Sequence, residues 1–183
     1  MQYFRMLLDV LGCPDLVAAK LPKQKGYRDA VLFTAITTLI GTLPIILFFS
    51  WVSFENLAVP LRVLLALLIT LIASALSPAL ALIQAWILQH ALLLLGGKGR
   101  LDGSFRAVAF ASAPKILSSI PFINLAAGIW SIVLSLLFLS KVHNVSLLRA
   151  LAAFLILILF TTLIALIIGF ALTPLIALTA GEL

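Results

Sequence analysis

Few residues in this chain are equipped for chemistry, and most of them stand beside long apolar runs. His90 and His143 lie in separate segments, and neither has a Cys, Asp or Glu spaced to complete a metal site with it. For each, the simpler reading is an interfacial residue that solvates a helix end. The acids Asp29, Glu55, Asp102 and Glu182 fall at the edges of apolar runs or between them, never inside. Intramembrane aspartyl proteolysis and carboxylate-relayed proton coupling both need buried acids, so neither fits. There is no HExxH for zinc and no GxSxG nucleophile elbow. Gly96-Gly97-Lys98-Gly99 lacks the GxxxxGK[ST] spacing of a phosphate loop and reads as a flexible turn. Cys13 is the sole cysteine, which excludes an internal disulfide. No catalytic residue, metal site or cofactor is expected.

What polar chemistry remains is Lys115 with Gln84, Gln89, His90 and Asn124, all close to or within apolar stretches. A lysine at mid-span costs about 2.5–3.5 kcal/mol on insertion scales. It would neutralise a lipid phosphate or face a polar passage; alternatively its long stem snorkels to the headgroups. Alanines 107, 109, 111 and 113 give the overlapping small-xxx-small pairs Ala107/Ala111 and Ala109/Ala113, which allow close helix approach.

The elements that hold these residues are set by hydropathy. Of 183 residues 64% are hydrophobic and 10% charged, too little polar surface to wrap a water-soluble domain, which averages about 25% charged. The fold class is therefore an all-α polytopic transmembrane bundle. A span needs roughly 20 apolar residues, and the pattern places spans at 30–51, 61–95, 104–120, 122–140 and 147–172. The second run would be about 52 Å long as one helix, with Pro78 near its middle. It reads as one kinked helix whose later end, with Gln84, Gln89 and His90, reaches the headgroups, or as two short crossings hinged at Pro78. Residues 96–103 form a loop, 104–120 and 122–140 a tight helical hairpin turning at Ser118-Ser119-Ile120-Pro121, and Lys141-Val142-His143-Asn144 breaks the fourth span.

Charge placement fixes orientation. Twelve basic residues against six acidic leave a net charge of +6, which in a membrane protein reports sidedness rather than nucleic-acid binding. With five crossings and the N-terminus inside, Arg5, Lys20, Lys23, Lys25, Arg28, Lys98, Arg100, Arg106, Lys141 and Arg149 are cytoplasmic. Only Arg62 and Lys115 remain for the outer half, and the tail 179–183 lies outside. The short apolar stretch from Met6 to Leu11 is followed by Cys13-Pro14, so no cleaved signal is read and the first span serves as anchor. Residues 1–28 form a cytoplasmic amphipathic segment and 29–183 the membrane domain. Tyr3, Phe4, Leu7, Leu8 and Leu11 recur at helical spacing, so that face lies either in the interface or on the protein's own inner ends.

Gly96-Gly97-Lys98-Gly99, then Arg106-Ala107-Val108-Ala109-Phe110-Ala111-Ser112-Ala113-Pro114, resembles the GGxG and RVLAY-x-x-x-P segments of the Yip1 domain family. Trp130-Ser131 and Lys141-Val142-His143-Asn144-Val145-Ser146, followed by Ala150, are similar to that family's W-S and basic-x-x-V-H-G-x-S-x-x-x-A ending. Phe110 stands where tyrosine is usual, Phe138 where glycine is frequent, and Lys115 where an apolar residue is expected. The resemblance implies five spans, a cytosolic N-terminus, no catalysis, and roles in membrane trafficking, membrane shaping and hetero-oligomer assembly. Relatives include Golgi and ER proteins and bacterial accessory proteins of ABC exporters; this chain is similar to the short prokaryotic form.

The expected function is a non-enzymatic scaffold or transport accessory. Its partners would be the lipid bilayer, further copies or other membrane proteins, and an ABC-type transporter, with no nucleic acid. Gly96, Gly97, Lys98, Arg106, Phe110, Pro114, Trp130 and His143 would form the contact region. The alternative is a lipid or small-solute translocator with Gln84, Gln89, His90, Lys115 and Asn124 along its path.

Overall fold

The computed structural model describes residues 2–21, 26–53, 57–120 and 123–180, with backbone alone at Gln2 and from 172 onward. Lys23, Lys25, Glu55, Pro121 and the tail 181–183 lie outside the described residues. Among the described residues the regular elements are all helical: α1 (Gln2–Gly12), α2 (Pro14–Lys20), α3 (Arg28–Ser53), α4 (Val59–Leu94), α5 (Leu101–Ala111), a 3-10 segment (Ala113–Leu117), α6 (Ile123–His143) and α7 (Leu147–Ala180). Four of these, α3, α4, α6 and α7, are long and apolar enough to cross a membrane.

In hydrocarbon, apolar side chains gain nothing by meeting one another, so helices associate where small or hydroxyl residues let backbones approach. The α3–α4 seam follows that rule. Thr34, Thr37 and Gly41 of α3 are buried, as are Ala66, Thr70, Ser74, Ala81 and Ala85 of α4. Ser74 Oγ donates across the seam to the Ala35 carbonyl at 2.7 Å. The larger Leu, Ile and Val side chains face outward, most completely on α7.

At the centre of the bundle stands α5, packed against α3, α4 and α6. Every position from Gly103 to Ala111 except Val108 is buried, and the alanines at 107, 109, 111 and 113 are at most 1% exposed. Its register on α3 is set by three contacts. Tyr27 meets Phe105 at 5.5 Å between ring centroids, Phe33 meets Phe110 edge-on at 5.2 Å, and Ser118 Oγ donates to the Gly41 carbonyl at 3.2 Å. From position 27 to 41 α3 advances about 21 Å, so α5 and the 3-10 segment together reach well past the middle of the bundle.

Several boundaries differ from the hydropathy reading. A single helix, α4, runs through Pro78; Ser77 Oγ bonds the Ser74 carbonyl, one of the neighbours that the proline ring leaves without an amide partner. The loop after α4 closes at Arg100 rather than 103, because Asp102 in the first turn suits the positive end of α5. Residues 104–120 are not one α-helix: α5 stops at Ala111 and Pro114 sits in the 3-10 segment. Lys141–His143 does not break α6; the helix continues until Asn144, whose φ of 52° reverses the chain. The last helix passes position 174 and ends at 180.

The N-terminal segment packs on the protein. Leu7, Val10, Ala18 and Leu21 are buried in the common core, and the Tyr3 ring lies 5.2 Å from that of Phe33. Thr37 gives its hydrogen to the Phe33 carbonyl, so Tyr3 Oη donates to Thr37 Oγ1 at 3.0 Å. Phe4 and Leu8, from the same apolar set, stay 61% and 68% exposed. Tyr3→Phe is expected to lower stability by about 1 kcal/mol in detergent thermal unfolding, while Phe4→Ala leaves it unchanged. Equal melting of Tyr3→Phe and wild type would show that α1 is not seated this way.

Candidate functional site

The chain leaves α4 through a turn that only glycine enters easily. Gly96 has φ of 87°, Gly97 N–H bonds the Leu92 carbonyl at 2.8 Å, and Gly96 N–H bonds that of Leu93 at 3.1 Å. This is a Schellman cap, and it satisfies the last carbonyls of the helix. Asn144 ends α6 in the same manner, with Val145 N–H on the Ser140 carbonyl at 3.0 Å. The two caps meet: Lys98 N–H donates to the His143 carbonyl at 3.1 Å.

Between them the side chains close a ring of hydrogen bonds. Gly99 N–H lies 3.2 Å from His143 Nδ1. A backbone amide can only donate, so Nδ1 accepts and the imidazole proton sits on Nε2. Nε2–H then donates to Ser104 Oγ at 2.7 Å, and the serine hydrogen goes to Gln89 Oε1 at 2.6 Å. Gln89 Nε2 donates to the Gly99 carbonyl at 2.8 Å, which returns to the starting residue. Every member therefore gives one bond and takes one. His143 and Ser104 are 0% exposed and Gln89 7%. The ring ties α4, the glycine loop, α5 and α6 together at one end of the bundle. Glycine at 99 is required by space, since a Cβ there would stand 2.8 Å from the His143 ring.

His143 is thus a buried keystone, not the interfacial residue that solvates a helix end. Gln89 is likewise buried and does not reach outward from α4. Ser104 was not legible as a partner: a serine at the start of an apolar run carries no signal of its own. Around the ring, Lys98, Arg100, Lys141 and Arg149 are exposed, as are Lys20 and Arg28. Arg106, 3% exposed, turns inward with its guanidinium 3.4 Å from Asp102 Oδ2 and 3.4 Å from the Gly26 carbonyl.

Of the remaining residues with family-like spacing, Phe110 is buried against Phe33 and Pro114 is buried at the start of the 3-10 segment. No hydroxyl is needed at 110, where the ring edge meets another ring. Trp130 is 40% exposed, about 20 Å along α6 from His143. Gln84, Gln89, His90, Lys115 and Asn124 do not share one passage. His90 is exposed on the outside of α4, its ring 4.4 Å from Trp86 and its Nδ1 2.8 Å from the Trp86 carbonyl. Asn124 is exposed at the start of α6. Gln84 and Lys115 both line an open cavity of about 530 Å³ between α3, α4, α5, the 3-10 segment, α6 and α7, and Lys115 is itself exposed. Among the described residues no group of three His, Cys, Asp or Glu converges to hold a metal ion.

A search of curated proteins and a search of solved structures returned no match. The family model of the Yip1 domain matches residues 8–178, a range that takes in the glycine loop, α5 and the His143 turn. The chain belongs to the Yip1 domain family.

Proposed function

We propose that this protein is a non-enzymatic integral membrane scaffold that serves as an accessory in membrane organisation, trafficking or transport complexes. The observation that carries this reading is the closed hydrogen-bond ring. The most reactive-looking side chain of the motif region, His143, has both nitrogens engaged and no exposure, so the motif fixes a shape instead of offering a reactive group. The shape it fixes is a platform of exposed Lys98, Arg100, Lys141 and Arg149, suited to acidic surfaces of a partner and to anionic headgroups. The partner is a second copy or another membrane protein, such as an ABC-type transporter. Crosslinking in native membranes followed by pull-down is expected to return a consistent partner, and reversing two platform charges (Lys98→Glu with Arg149→Glu) to lose it. Clean monomers from the wild type would overturn the reading.

The same reading includes five crossings with the N-terminus in the cytosol and the C-terminus outside. Because α4 and α6 both finish at the ring and α6 is about 31 Å long, the chain has to regain the opposite end between Leu101 and Ile123. Spans 104–120 and 122–140 would form the hairpin that does so. In a Cys13→Ser background, Lys98→Cys is expected to react with an impermeant maleimide only after lysis, and Ile120→Cys in intact cells. Labelling of Lys98→Cys from outside would invert the topology.

Lipid or small-solute translocation is the second reading, favoured by the cavity that Gln84 and Lys115 share. Scrambling of labelled lipid in liposomes that is abolished by Lys115→Leu would establish it.

A further inference from the structure

The cavity between α3, α4, the 3-10 segment, α6 and α7 has a polar character that the packing of the bundle does not use. Most of its hydroxyls, including those of Thr34, Thr42, Ser112 and Ser135, give their hydrogens back to carbonyls of their own segment. Two do not. Thr38 Oγ1 and Ser131 Oγ, on opposite helices, are buried and have no hydrogen-bond partner among the described residues. Lys115 lines the same space, and among the described residues its ammonium has no ion pair. Among the described residues no acid stands on the cavity wall. Spare donors and an uncompensated cation in one place, without a carboxylate, fit an anion.

Depth narrows the kind of anion. Lys115 packs beside Gly41, about 20 Å along α3 from Arg28, so the cavity opens among helices that face hydrocarbon. Leu76, Leu80, Leu88 and Leu157 are among its apolar lining. A free ion would have to shed its water to arrive there, whereas a lipid brings its charge on a chain that belongs in the bilayer. The volume falls within the roughly 300–1,000 Å³ usual for sites that enclose a small molecule. We infer that this cavity binds one anionic phospholipid, with its phosphate on Lys115 and the hydroxyls of Thr38 and Ser131, and part of an acyl chain along the leucines of α4. The lipid would act as an internal strut between α3 and α6. The inference is independent of the scaffold reading, since a failed partner capture leaves the cavity and its donors as they are.

The test is native mass spectrometry of the full-length protein released from nanodiscs of mixed phosphatidylcholine and phosphatidylglycerol. The wild type is expected to keep one phosphatidylglycerol in preference to phosphatidylcholine. Lys115→Leu is expected to weaken retention at least about tenfold, and Lys115→Arg to preserve it. Lys20→Leu, which removes an exposed charge on α2, should retain the lipid as the wild type does. Thr38→Val keeps the shape and removes one donor, so it should lower retention while the lipid-free protein melts no lower than wild type. Equal retention of the two lipids, or unchanged retention in Lys115→Leu, overturns the inference. So does inorganic phosphate, added to the detergent-solubilised protein, displacing the bound lipid or raising the melting temperature as much as phosphatidylglycerol.

Discussion

His143→Ala is expected to destabilise the protein by about 3–5 kcal/mol, read as a fall of roughly 10 °C in the unfolding midpoint in detergent. The imidazole is fully buried and accepts from Gly99 N–H while donating to Ser104. Alanine leaves that amide without an acceptor, which costs about 1–3 kcal/mol, and opens a void where the ring stood. The glycine loop and the end of α6 lose their common anchor. Ser104→Ala breaks the same ring one residue further on. The double variant should therefore lose much less than the sum of the single ones, because neighbours in one network are not additive. Simple additivity would show that the four groups do not act as a unit. Lys98→Ala, exposed beside the ring, should melt as the wild type does.

Gly41→Ala is the second large effect, and its sign is the informative part. Glycine inside a helix normally costs about 0.5–1 kcal/mol against alanine, so the exchange would stabilise α3 if space allowed. A Cβ at 41 would collide with the backbone carbonyl of Lys115, and Ser118 Oγ already bonds the Gly41 carbonyl from the same side. Backbone atoms cannot rotate away, so the 3-10 segment has to lift off α3. The expected loss is about 3 kcal/mol, together with weaker Ser118 contact. Gly128 on α6 has open space around its Cα. There Gly128→Ala should be neutral or slightly stabilising. Equal responses at the two sites would mean that α3 and the 3-10 segment do not touch.

How much of this was readable in advance depends on what each residue answers to. Hydropathy over twenty residues reports the solvent that a helix sees, so α3, α4, α6 and α7 were visible with ends displaced by one to three residues, except that α7 runs eight residues further. The alanines of α5 were also readable as a packing seam, since close approach requires small side chains wherever it occurs. The ends of α5 and α6 were not. Lys141 and His143 look like residues that stop a span, and only the partners waiting at Ser104 and Gly99 make it favourable to keep His143 helical and dry. Gln89 was placed near the headgroups for the same reason: a polar residue late in an apolar run has two solutions, water or a partner from elsewhere in the chain.

The order of residues alone determined that this chain lives in lipid as a helical bundle, because the water-to-hydrocarbon transfer of whole segments is a local sum. The spacing of the glycine loop, the alanine segment and the Val-His turn likewise marked its family. The three-dimensional arrangement decided which polar groups would be partners. Gln89, Gly99, Ser104 and His143 meet from four separate pieces of chain, and Thr38, Lys115 and Ser131 share one cavity from three. Hydrogen bonds reach about 3 Å, and no local pattern encodes which distant donor comes within that distance.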